Sequence, residues 1–79
     1  MAFKREHEGV NFDFDDENLA IENTNDTQQT VRVVNVTTGK TLYGRTMKPK
    51  EKVDELKGLK KDEEVRLFVA NMKKDEFRA

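Results

Sequence analysis

Thr38-Gly39-Lys40-Thr41 carries the Gly-Lys-Thr triplet with which nucleotide-binding loops close, and no other stretch offers a comparable catalytic spacing. A phosphate-binding loop needs a glycine five positions before that Gly, because consecutive backbone N–H groups must wrap the phosphates. That position is Val34, inside a valine-rich run whose β-branched residues favour extended chain. Gly39 follows Thr37-Thr38 where a hairpin turn calls for positive φ. The quartet therefore reads as a turn between two strands.

The remaining chemistry-bearing residues form weaker constellations. Asp13, Asp15, Asp16, Glu17 and Asn18 make an oxygen-rich stretch, but a calcium loop requires a Gly after its third ligand and flanking helices, and neither is evident. A solvated acidic turn is the expectation. His7 has no cysteine to join in a zinc site and reads as a surface residue. Asn25-Asp26-Thr27 and Asn35-Val36-Thr37 match the glycosylation triplet yet read as ordinary turn and strand residues. Lys48, Lys50, Lys52, Lys57, Lys60 and Lys61, with Arg45 and Lys40 upstream, could contact phosphates. Glu51, Asp54, Glu55, Asp62 and Glu63 interrupt them and cancel most of the field, and base-stacking aromatics are missing from the segment. Direct nucleic-acid binding by the 45–61 lysine segment is thus a minor alternative. No cofactor, metal or catalytic residue is expected, and the chain is read as non-enzymatic.

Seventy-nine residues allow one small domain. Leu, Ile, Val and Phe together number 19, enough for a core, though one of this size rarely supplies more than about 3–5 kcal/mol. Without cysteine there is no disulfide, so a second subunit or partner is the remaining source of added stability. MAFKREHEGV has no apolar run of signal-peptide length, and no stretch approaches the roughly 20 apolar residues that cross a bilayer. The expectation is a cytoplasmic protein, or one assembled into a particle from the cytoplasm. The net charge of −1 hides an asymmetry: residues 1–30 carry −6 and residues 31–79 carry +5.

The elements follow from apolar periodicity. VNFDF (10–14) and NLAIEN (18–23) alternate, with DDEN breaking the chain between them. Val31, Val33, Val34 and Val36 predict a strand whose face switch at Val33/Val34 points to a bulge or to burial on both sides. TLYGRT (41–46) returns from the turn. Segment 49–57 is ambiguous between an edge strand leading to a core-plugging Leu59 and a short helix starting at Pro49. The strand is preferred. EVRLFVANM (64–72) places Val65, Leu67 and Val69 on one side and Phe68 and Met72 on the other. Residues 1–9 and 73–79 read as flexible tails around a 10–72 domain. The predicted fold is a small all-β antiparallel sandwich or partly open barrel of five or six strands, the alternative being α+β with one short helix near 49–57.

Two resemblances each cover about half the chain. LKGLKKDEEVRLFVANM resembles the late strands of fibronectin type III and immunoglobulin-like sandwiches. VTTGKTLYGRTMKPKEKVDELKGL followed by EEVRLFV resembles a ubiquitin-type β-grasp, which implies a hairpin, a helix and a later strand. No functional residue is carried over from either.

The functional expectation is a small protein–protein binding module, self-associating as a homodimer. Val34, Val36, Tyr43, Phe68 and Met72 are its candidate interface, as apolar groups surplus to one core. A virus-encoded inhibitor or accessory protein is a base-rate extension of this reading. In the alternative, Asp13, Asp15, Asp16, Glu17, Glu22 and Asp26 imitate a phosphate backbone and occupy a basic nucleic-acid-binding protein.

Overall fold

In the computed structural model, which describes residues 2–79, eight strands form two four-stranded antiparallel sheets packed face to face. In chain order they are β1 (Ala2–His7), β2 (Val10–Asp15), β3 (Asn18–Asn23), β4 (Gln29–Asn35), β5 (Lys40–Met47), β6 (Lys52–Leu56), β7 (Glu64–Val69) and β8 (Met72–Arg78). The first sheet runs β1-β2-β3-β6 and the second β5-β4-β7-β8. The all-β expectation holds, but the strand count is eight rather than five or six.

Both segments read as flexible tails are strands. β1 pairs with β2 from Ala2↔Asp15 to His7↔Val10, and β8 pairs with β7 from Glu64↔Arg78 to Val69↔Met72. Each hairpin closes through two residues at positive φ, Glu8 (51°) with Gly9 (78°) and Ala70 (55°) with Asn71 (61°). Such turns match the right-handed twist of the flanking strands. The second is hard to foresee because alanine carries no turn signal.

Segment 49–57 contains strand β6, and no helix occurs among the described residues, so the β-grasp likeness does not extend to the fold. The sandwich layers suit the immunoglobulin-like resemblance, whereas the β1-β2-β3 meander departs from the strand order of those domains.

The core lies between the sheets. Val10, Phe12, Phe14, Leu19 and Ile21 face Val31, Val33, Val65, Leu67 and Val69, all fully buried, with Met47 and Leu59 closing the ends. Strict alternation puts their neighbours on the outer faces, exposed in β2 and half-buried in β3 and β7, which is why these strands were readable from period two. β4 itself alternates regularly, and the bulge expected at Val33/Val34 lies opposite, in β5. Tyr43 pairs with Val33 and Thr41 with Val34, leaving Leu42 as the extra residue.

Two buried asparagines fix the crossings between sheets. Asn23 Nδ2 donates to the carbonyls of Thr27 and Lys48, each at 3.0 Å, while its Oδ1 accepts from Asn25 N at 3.1 Å. Asn35 Nδ2 donates to Gly58 O at 2.8 Å and Glu63 Oε1 at 3.0 Å, and its Oδ1 accepts from Thr38 N at 3.2 Å. Both side chains are fully buried, so every such bond replaces water that is no longer accessible. Asn35 is thereby a structural residue rather than an exposed attachment point.

Candidate functional site

The quartet at 38–41 runs from a turn into a strand, with Thr38 and Gly39 ending the turn and Lys40 and Thr41 opening β5. Gly39 has φ of 73° and donates its N–H to Asn35 O at 2.8 Å, closing residues 36–39 between β4 and β5. Thr38 and Lys40 border an open depression of about 610 Å³ with Lys57, Lys60, Asp16, Glu17 and Glu63. Three lysines and three carboxylates line it together, so it does not concentrate an anion-binding field.

The five candidate interface residues are not brought together. Val34 and Phe68 are diagonal neighbours on the outer face of the second sheet, because Val34 pairs with Arg66 and Arg32 pairs with Phe68. There the Arg32 guanidinium lies 3.9 Å from the Phe68 ring centroid and covers part of it. Val36 sits in the turn beyond β4. Tyr43 points inward and is only 9% exposed, so it belongs to the core. Met72 lies at the edge of β8, on the inward side of the sheet, 62% exposed. Alternation failed as a guide to the outer face because β4 ends at Asn35 and the bulge at Leu42 shifts the facing of β5.

Over β7 and β8 that outer face carries an ionic network. Arg66 donates to both oxygens of Glu76 at 3.2 Å, and Lys73 Nζ donates to Glu76 Oε1 at 3.0 Å. These bonds, chiefly that from Arg66, hold the Glu76 carboxyl down at about 2. The hydrogen bond with Glu76 pushes the neighbouring Glu64 carboxyl up.

The acidic candidates do assemble, in part. Asp13, Asp15 and Glu22 alternate with core residues and so project from the outer face of the first sheet. Asp16 and Glu17 form the hairpin at one end of that face. Asp26 lies apart, in the loop after β3, 3.3 Å from Lys50. The strand expected within 49–57 is β6, and what the sequence reading missed is its place beside β3. Its pairing with β3 brings Asp54 and Glu55 beside Asp13, Asp15 and Asn18 around a shallow trough of about 370 Å³. Long exposed lysines, Lys4 at 3.9 Å from Asp13 and Lys52 at 3.9 Å from Asp54, are loosely held counterions.

At the rim where β1 faces β8, the two sheets are joined by mixed contacts. Phe3 and Phe77 meet edge to face with centroids 4.6 Å apart, and the Arg5 guanidinium lies 4.0 Å over Phe77. His7 Nε2 and Arg5 Nη1 approach Asp75 Oδ2 at 3.0 and 3.6 Å, and Lys74 reaches Glu8 at 2.8 Å. His7 is thus a partner in the closure between the sheets rather than a free surface side chain. At the opposite rim the Tyr43 hydroxyl is buried without a hydrogen-bond partner among the described residues, and burial pushes it up from its ordinary range.

The lysine segment does not form one patch. It passes from the end of β5 through β6 to the 57–63 loop, following the length of an edge with its acids interleaved. Among the described residues, no group of three or more His, Asp or Glu is arranged to hold a metal ion, and no helix is long and apolar enough to cross a membrane.

Comparison of the chain with protein-family models, curated proteins and solved structures finds no match.

Proposed function

We propose that this chain is a non-catalytic protein–protein binding module that self-associates and works in the cytoplasm or in a particle assembled there. The observation that carries the reading is the pair of open sheets. β1, β6, β5 and β8 each pair on one side only among the described residues, leaving rows of backbone N–H and C=O groups for another chain. Val34, Phe68 and Met72 offer limited apolar area and play a supporting part. Light scattering over a concentration series tests it. A rise from the 9.2 kDa monomer to twice that mass is expected, and a strict monomer at the highest concentration overturns self-association.

A second reading is favoured by the acidic face. Asp13, Asp15, Asp16, Glu17, Glu22, Asp54 and Glu55 give one side of the sandwich a dense run of carboxylates that could occupy a basic nucleic-acid-binding protein. Displacement of duplex DNA from a basic DNA-binding domain, measured against salt, discriminates the two. Mimicry predicts competition that weakens steeply with ionic strength, whereas edge pairing is less sensitive.

A further inference from the structure

The four sheet edges are not equivalent. β5 is bulged at Leu42, and β6 loses register between its pairings with Ile21 and Leu19, where Glu55 adopts φ of 59°. β8 carries Lys74 as an extra residue between the partners of Leu67 and Phe68. Bulges twist an edge away from a would-be neighbour and are a common protection against pairing. β1 has none: its register with β2 runs unbroken from residue 2 to residue 7.

The backbone groups that β1 leaves free follow from its hairpin. A two-residue turn makes His7 and Val10 the first hydrogen-bonded pair, and antiparallel ladders alternate, so Arg5/Phe12 and Phe3/Phe14 are hydrogen-bonded pairs too. The N–H and C=O of Lys4 and Glu6 therefore point away from β2, toward the open edge. Their side chains both project from the outer face, exposed and opposite in charge. Among the described residues Lys4 is held by its distant ion pair with Asp13, and Glu6 uses one oxygen, Oε2, to accept the Gly9 N–H at 2.7 Å.

We propose that β1 is the edge through which two copies of this chain pair, antiparallel about a twofold axis at Arg5, with each Lys4 opposite Glu6 of the second copy. This rests on the self-association reading and specifies its surface. The register joins the two first sheets into one continuous sheet through about four new backbone hydrogen bonds and two complementary cross-strand ion pairs. Sliding by two residues sets Lys4 against Lys4 or Glu6 against Glu6. In the latter case the remaining partner is Glu8, which lies at φ of 51° in the turn and outside extended chain. The two Arg5 side chains meet across the axis on the inward face. Each is drawn back into its own protomer by Phe77 and Asp75.

The test uses the whole chain as the wild type, as Lys4→Glu, as Glu6→Lys and with both changes, each checked for its β spectrum, by light scattering and sedimentation. Lys4→Glu and Glu6→Lys should each weaken the dimer by about tenfold or more, since like charges then lie directly opposite. Mixing the two variants, or combining both changes in one chain, should restore the dimer, because every pair is again complementary. If both single variants dimerise as tightly as the wild type, or the mixture stays monomeric while the wild type dimerises, β1 is not the edge and self-association stands by another surface. A wild-type monomer at every concentration removes both proposals.

Discussion

His7 Nε2 stands 3.0 Å from Asp75 Oδ2, so residues 68 positions apart tie the first strand of one sheet to the last strand of the other. Both side chains retain about a fifth of their accessible surface, and Arg5 lies at 3.6 Å from the same oxygen. Charge-assisted contacts in such a setting contribute modestly. Asp75→Ala should cost about 1–2 kcal/mol, read as a lower urea midpoint with unchanged slope.

The Glu76 network gives a signed pH dependence. Glu76 titrates near 4.5 when unfolded and at about 2 when folded. Its stabilisation is complete above pH 4.5 and disappears as the pH falls toward 2. The raised Glu64 works in the opposite sense, favouring the fold below its own titration and losing that effect as pH rises through it. Between pH 4.5 and 2 the wild-type urea midpoint should therefore fall more steeply than that of Glu76→Gln. Parallel curves for the two proteins would remove the network from the acid response.

Asn35 holds the loop that delivers Leu59 to the core. Asn35→Ala deletes the three hydrogen bonds of a fully buried side chain and takes the Nδ2 donor away from the Gly58 carbonyl. A loss of about 1–3 kcal/mol is expected, with earlier hydrogen exchange in residues 57–63.

Two glycines with similar backbone angles should respond differently to a methyl group. At Gly39, with φ of 73°, a Cβ would meet no described residue beyond its chain neighbours within 4 Å, so Gly39→Ala should cost only about 1 kcal/mol of backbone strain. Gly9, at φ of 78°, would push its Cβ to 2.7 Å from Asn25 Cγ, and Gly9→Ala should cost clearly more. Equal thermal midpoints for the two variants would contradict the close approach of Asn25 to the first turn.

Tyr43 keeps its ring in the core and its hydroxyl without a partner. Tyr43→Phe removes the desolvated group while leaving the packing, so stability should rise by about 1 kcal/mol rather than fall. A lower urea midpoint would mean that the hydroxyl is bonded in solution.

The sequence by itself determined that this chain is built from strands. Val10, Phe12 and Phe14, Leu19 and Ile21, and Val65, Leu67 and Val69 must each share a face because side chains in extended chain alternate, and only a sheet can bury such rows. Gly39 likewise announced its turn. The tertiary structure alone decided the two outermost strands and the surfaces. In β1 and β8 the inward positions include Arg5, His7 and Asp75, polar residues satisfied by one another across the rim, so no apolar alternation marks those strands. The acidic face needed β6 beside β3, and the edge chemistry of Lys4 and Glu6 depends on the pairing parity of β1 with β2. Such relationships join residues distant in the chain, and local periodicity carries no record of them.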